Sequence, residues 1–451
     1  MNKRMNLFTL TWPIFIENVL FMLLGFIDIF VLSRYNDVAA SAVSAANQII
    51  SICNLVFSII SGATAILISQ SLGAQKRQSA SQIAALSLLF STVIGLVISA
   101  LIALFHRPLL AALGAQGEIL EYGCEYLLIV GGFIFTQSLL NSVTAILRSH
   151  GHTRISMYVT AIMNLLNAVL DTAFVLGLFG LPSLGVRGVA IATTISQYVS
   201  AALIAICLMR SESCYHLRWS NLALHKDKVF PILRIGVPAG LQSSIFAISN
   251  VVIQSSVNSF GSVAMAGSAA AANIEGFVYV TMNSVSQASL SFASQNIGAR
   301  LYDRVGKICR TCLLLAAFFG ILFGNAAYLL HDTLLGFYSP DPAVIAAGAE
   351  RLSIIGATYF LCGLMDTLAC MLRAMGKSLL PMVVTIIGAC GLRIVWVYTV
   401  LPLDPTFFTL FLSYPITWGI TGAVHAVCYF FTKRQMLRRA LEEGSLHPAS
   451  A

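Results

Sequence analysis

Residues 7–32 read LFTLTWPIFIENVLFMLLGFIDIFVL, an apolar run with Pro13 near one end and two carboxylates, Glu17 and Asp28, inside it. About 20 such residues suffice for a helix to cross a bilayer. At 100° per residue, the positions from Glu17 to Asp28 make three turns plus about 20°, so both acids lie on one helix face. An ionisable group at membrane depth is expensive and usually faces a bundle interior or a watered cavity. This helix therefore does more than cross.

The same pattern continues along the chain. Charged residues make up 10% of it and apolar residues 58%, far from the quarter charged of ordinary soluble domains. The expected fold class is an all-α polytopic membrane protein. Twelve crossings are expected near 8–33, 43–69, 82–105, 124–147, 155–178, 185–209, 230–254, 264–292, 308–331, 351–373, 380–402 and 407–432. The N-terminus lacks a short apolar region followed by a small-residue cleavage site, so no removable signal peptide is expected.

Basic residues test this count, because they gather on the cytoplasmic side. With the N-terminus inside, 21 of the 26 Lys and Arg fall in cytoplasmic segments. Arg34, Arg107, Arg187 and Arg351 fall outside, and Arg393 falls within a helix. Both termini are thus expected in the cytoplasm, with the chain in the plasma (inner) membrane. The net charge of +8 reads as topology and not as a nucleic-acid footprint. Most of the ten cysteines lie in apolar stretches. Cys309 and Cys312 form a C-x-x-C without a second pair or nearby histidines, which argues for apolar filler over zinc.

A repeat appears at a constant offset of 225 residues. Ser69-Gln70-Ser71-Leu72-Gly73-Ala74 returns as Ser294-Gln295-Asn296-Ile297-Gly298-Ala299, and Leu147-Arg148-Ser149-His150-Gly151 as Leu372-Arg373-Ala374-Met375-Gly376. Pro13 returns as Pro238, and Glu17 as Gln242. The Gly-containing turns read as helix caps, and the arginines as partners of helix carbonyl ends and lipid headgroups. The expected division is an N-terminal six-helix lobe at 1–210, a cytoplasmic linker at 211–228, a C-terminal six-helix lobe at 229–433 and a cytoplasmic tail at 434–451. Six crossings per half give a parallel repeat, so the two lobes are expected to be related by a pseudo-twofold axis along the membrane normal. Lobes that rock about a central cleft suggest a transporter.

Acids inside the crossings are Glu17 and Asp28 in the first, Asp171 in the fifth, Glu275 in the eighth and Asp366 in the tenth. Asn164, Asn167 and Asp171 share one face of the fifth crossing. Asp28 and Asp171 lie at similar depth. Burial and a second nearby carboxylate both favour proton uptake by such a pair, while oxygen ligands equally suit Na⁺. The bland reading is a polar cluster gluing helices together. Phe26, Phe30, Phe57, Met163, Tyr279 and Met282 could hold an organic cation by ring contact and adaptable packing.

These motifs resemble the multidrug and toxic compound extrusion (MATE) family over about residues 8 to 432. The resemblance is carried by Pro13 followed by Asp28, SQSLGA at 69–74, LRSHG at 147–151, NLLNAVLD at 164–171, LGVRGVAIAT at 184–193, and the echoes SQNIGA and LRAMG. It implies a V-shaped pair of lobes that exports organic, often cationic and amphipathic compounds in exchange for H⁺ or Na⁺. It places the ion-coupling site on Asp28, Asn167, Asp171 and Thr193. Glu17, Asn164, Glu275 and Asp366 are candidates for the substrate cleft. Another branch of the family uses a Glu in the seventh crossing, yet Pro238 to Gln254 contains no acid, which favours coupling through the first lobe. The expected partners are small organic substrates and the lipid bilayer, with no nucleic acid, no cofactor beyond the coupling ion, and a monomeric state.

Two other functions fit the residues less well. A lipid-linked oligosaccharide flippase of the same superfamily calls for a strongly cationic cavity, which one intramembrane arginine does not supply. A membrane enzyme needs a nucleophile and base or a metal box, and no H-E-x-x-H occurs. Gly376-Lys377-Ser378 mimics the tail of a phosphate-binding loop, but Met371 stands where its first glycine belongs.

Overall fold

The computed structural model describes residues 7–33, 36–177, 183–210 and 226–442. Among these residues all regular structure is helical. The first half runs α1 (Leu7–Ser33), α2 (Asp37–Gly73), α3 (Arg77–Ala112), α4 (Gly117–Gly132), α5 (Phe135–Ser149), α6 (Thr153–Leu176) and α7 (Gly185–Arg210). The second runs α8 (Lys226–Asn258), α9 (Ser262–Gly298), α10 (Tyr302–Leu329), the short α11 (His331–Gly336), α12 (Pro342–Thr358), α13 (Phe360–Ala374), α14 (Leu379–Thr385), a π-helical turn (Ile386–Gly391), α15 (Leu392–Thr399) and α16 (Phe407–Glu442). Among the described residues, ten helices are long and apolar enough to cross a membrane. Two bent pairs, α4–α5 at 47° and α12–α13 at 45°, bring the crossings to as many as twelve.

The repeat is visible in the element bounds. Adding 225 to the ends of α2 gives those of α9, and the same shift carries α5 onto α13. Even the bend recurs, since α5 is preceded by Ile134 and α13 by Tyr359. A break kept at equivalent places belongs to the inherited design of each half.

The helices overrun the expected crossings where caps lie beyond the apolar stretch. Asn36 accepts from the Val38 amide at 2.8 Å and starts α2 ahead of residue 43. Asp341 accepts from the Ala343 amide at 2.9 Å, with Pro342 at the first helical position, so α12 begins well before residue 351. Asp-Pro is a start signal readable in the sequence. Arg351 consequently lies inside a helix, not in an external connection. The tail expected from residue 434 is helical as far as Glu442. Arg34, residues 211–225 of the linker and residues 443–451 lie outside the described residues.

The chain forms two compact units. One is Ile16–Gly236; the other joins the chain up to Phe15 with Val237 onward. These boundaries cut α1 and α8, whereas the sequence reading places the division at 211–228. In the first unit, Phe57, Ile102, Leu127, Val130 and Val189 pack one core. In the second, Ile355, Met365, Leu410, Phe411 and Trp418 pack another, and Phe8, Trp12 and Phe15 of α1 face Leu315, Phe319 and Phe323 of α10.

Candidate functional site

Within the first unit, α1, α2, α4, α6 and α7 bring polar side chains to one sealed place. Asp28, Asn167 and Asp171 are buried, the last two completely. The spacing 167–171 keeps the amide and the carboxyl on one face of α6, as the sequence indicates. The Asn167 amide satisfies its neighbours with its nitrogen turned to the carboxyls. Nδ2 then donates to Asp171 Oδ2 at 3.0 Å and to Asp28 Oδ1 at 3.1 Å, while its oxygen accepts from Thr193 Oγ1 at 3.2 Å. Thr193 Oγ1 also stands 3.2 Å from Asp28 Oδ2.

One amide nitrogen thus faces both carboxyl groups and brings Asp28 and Asp171 together. Two adjacent buried negative charges repel, so such a pair is suited to sharing a proton. Asp171 Oδ1 is buried and has no hydrogen-bond partner among the described residues. The arrangement places a buried, unpartnered acceptor, Asp171 Oδ1, beside a second carboxyl.

Two members of the cluster escape the sequence reading. The Tyr126 hydroxyl of α4 lies 3.4 Å from both Asp28 Oδ2 and Asn47 Oδ1. Nothing in a single tyrosine among apolar residues marks it in advance. Asn164, by contrast, stays out: its Nδ2 donates to the Thr160 carbonyl at 2.9 Å, one turn back along α6.

The remaining acids have partners of their own. Glu17 is fully buried; Arg148 Nη2 lies 3.0 Å from Oε2, and Ser156 donates to Oε1 at 2.5 Å. Arg148 thus turns inward to an acid and not outward to headgroups. Its repeat equivalent does likewise, Arg373 Nη2 donating to Gln242 Oε1 at 2.6 Å. The joint recurrence of positions 17 and 148 as 242 and 373 is a signal that could have found this pair. Glu275 is held by Arg351 through a two-pronged contact, Nε to Oε1 at 2.9 Å and Nη2 to Oε2 at 2.7 Å. Asp366 is half-buried and accepts from the Tyr279 hydroxyl at 3.4 Å. Cys309 and Cys312 pack in the interior along α10.

Up to twelve apolar crossings, a doubled architecture and buried acids define a polytopic membrane transporter. The MatE family profile matches residues 13–173 and again 238–399, and the chain belongs to that family, whose members are transporters and not enzymes. The two matches begin 225 residues apart (238 − 13), which is the offset read from the motifs.

Among relatives, the chain is 30% identical over 354 residues to an uncharacterized transporter, YisQ, of Bacillus subtilis, covering 78% of each chain. It is 28% identical over 391 residues to a probable multidrug resistance protein NorM of Thermotoga maritima, covering 87% of this chain and 84% of the relative. An FAD transporter of Shewanella oneidensis is 25% identical over 360 residues, covering 77% and 76%. Among solved structures, a MATE in the bent conformation superposes with a TM-score of 0.89 at 18% identity over 96% of both chains. The Vibrio cholerae MATE transporter VcmN in its bent form gives 0.87 at 20% identity over 95% of this chain and 97% of that one.

Proposed function

We propose that the chain is a secondary antiporter that exports organic, cationic amphipathic compounds in exchange for H⁺, with Asp28 and Asp171 as the proton carriers. The observation behind this reading is the convergence of two buried carboxyl groups on the Asn167 amide nitrogen, beside an Asp171 oxygen with no partner among the described residues. Protonation neutralises the pair and weakens its attraction for a cation; release of the proton restores it. H⁺ suits this set better than Na⁺. The Asn167 Nδ2–H₂ group faces both carboxyls, where a metal ion would want oxygen ligands only. Thr193 and Tyr126 orient the Asp28 carboxyl.

Glu17 and Glu275 are neutralised by arginines, so their part is structural. Asp366, half-buried beside Tyr279, is the acid of the second unit left to attract a cationic substrate. Relatives named as multidrug resistance proteins support an organic substrate. The skew of Lys and Arg supports a plasma (inner) membrane protein with both termini in the cytoplasm, working as a monomer.

Everted vesicles carrying the chain test this reading. A pH gradient should drive ethidium movement and a sodium gradient should not. Asp28→Asn and Asp171→Asn should each abolish the pH-driven flux at unchanged membrane insertion. Flux driven by sodium alone, or normal flux in both variants, would refute the proton assignment.

A further inference from the structure

Arg393 of α15 is fully buried, and among the described residues no carboxylate lies within ion-pair distance of it. Its two hydrogen bonds are to neutral groups and are long: Nη1 to Asn250 Oδ1 and Nη2 to Thr417 Oγ1, each 3.3 Å. Its Nε–H has no partner. Aromatic rings surround it, with the guanidinium carbon 4.0 Å from the Tyr414 ring centre, 5.6 Å from Phe246 and 5.9 Å from Trp418. The indole Nε1–H of Trp418 is also buried and unpartnered. Ring faces ease a buried cation but leave its N–H donors unmet. Two idle donors on neighbouring side chains, next to an unneutralised positive charge, form a set that lacks only an anion.

The repeat explains how this charge came to stand here. In the first half α6 is continuous, whereas its counterpart is interrupted by the π-helical turn Ile386–Gly391. Such a turn accommodates one extra residue. The second family match is one residue longer than the first, 162 against 161 (238–399 against 13–173). Beyond the turn the offset is therefore 226, and Arg393 occupies the position of Asn167 (393 − 226), the amide that faces the two carboxyls. A place that serves a cationic proton in one half carries a fixed positive charge in the other.

We infer that Arg393 and Trp418 form a recognition point in the second unit for the carboxylate of an aromatic compound. Asn250 is exposed, and its long contact with Nη1 is the one an incoming carboxylate would replace; the ring of the ligand would lie against Phe246, the partly buried ring at the edge of this cluster. As a statement about substrates this rests on the export reading above, and it widens the substrate class to compounds that carry a negative group. The binding itself requires no gradient, so a failed flux assay and a failed binding assay are separate results.

The test is a fluorescence titration of the purified full chain in detergent with dansylglycine and with its methyl ester, which keeps the ring and loses the charge. Wild type should bind the acid at least about tenfold more tightly than the ester, as charge-assisted hydrogen bonds imply. Arg393→Met should abolish that preference and leave ester binding unchanged, and Arg393→Lys should retain part of it. If Arg393→Met fails to fold, Trp418→Phe removes one donor and should lower acid affinity several-fold while sparing the ester. Equal affinity for acid and ester in wild type, or equal loss of both in a folded variant, would overturn the assignment.

Discussion

Replacing Arg351 by Met should destabilise the protein by roughly 3–5 kcal/mol, the range for breaking a buried ion pair from one side. The size follows from burial, not from bond length. Arg351 and Glu275 approach to 2.7 Å with side chains 9% and 7% exposed. Arg107 and Glu121 approach to 2.8 Å, yet their side chains are 61% and 63% exposed. Water already screens the second pair, so Arg107→Met should cost less than about 1 kcal/mol. In Arg351→Met the Glu275 carboxylate loses both its charged hydrogen bonds, which come from a guanidinium that Ser268 and Phe411 hold in place. Removing both charges is a different perturbation. Glu275→Leu/Arg351→Met leaves no stranded charge and should return to within about 1–2 kcal/mol of wild type, giving a coupling of several kcal/mol. The assay is unfolding of the purified chain in mixed micelles with rising SDS, followed by circular dichroism, for the wild type, the single variants and the double variant. The reasoning fails if Arg351→Met costs no more than Arg107→Met, or if the double variant costs the sum of its singles.

The duplication supplies a second prediction. Gln242 already does beside Arg373 what Glu17 does beside Arg148, so Glu17→Gln, which keeps an acceptor for the partly exposed Arg148, should cost less than Arg351→Met and retain vesicle flux; loss of flux at normal stability would return Glu17 to the substrate path. Helix crossings supply a third. A Cβ on Gly267 would stand 2.6 Å from the Val344 carbonyl oxygen and 2.7 Å from the Gly348 nitrogen, which are backbone atoms of α12, whereas one on Gly25 would meet nothing within 4 Å. Gly267→Ala should lose roughly 1–3 kcal/mol by overpacking and Gly25→Ala none, read in the same SDS titration; equal behaviour of the two would reject the close approach of α9 to α12.

How much of this is legible in the sequence depends on the kind of signal. The crossings, the repeat and the Asp28–Asn167–Asp171 cluster are legible because they follow from apolar length, a fixed offset and helical spacing. Helix ends are less so: α2 and α12 start at Asn36 and Asp341, caps that lie outside the apolar run on which the count rests. Partners drawn from distant helices leave no local mark. Arg148 reads by itself as a charge at a helix end, and the only sequence trace of its partner Glu17 is their joint recurrence as Arg373 and Gln242. Arg351 reads as an external charge until Asp341 is recognised as the start of its helix. Tyr126 illustrates the limit, since one hydroxyl among apolar neighbours has no periodicity to betray it.

The two halves share a backbone plan while differing in the charges they bury, and that difference bears on the proposal that ion coupling has one seat. Applying the 225 offset, Asp28 falls on Ile253, and with the extra residue after the π-helical turn Asp171 falls on Val397. Neither position can take a proton. Tyr126 falls on Arg351, whose charge is consumed by Glu275. A duplicated helix set therefore does not imply duplicated chemistry: the geometry of the fold is set by small residues and apolar packing, which tolerate exchange of the few polar side chains each half encloses. Restoring one acid, as in Ile253→Asp, would bury a carboxyl in the core that Ile253 shares with Met365 and Phe411, without the amide and hydroxyl donors that the first half provides. On the proposed mechanism, coupling at such a site would require the whole set of donors, which among the described residues stands together around Asp28.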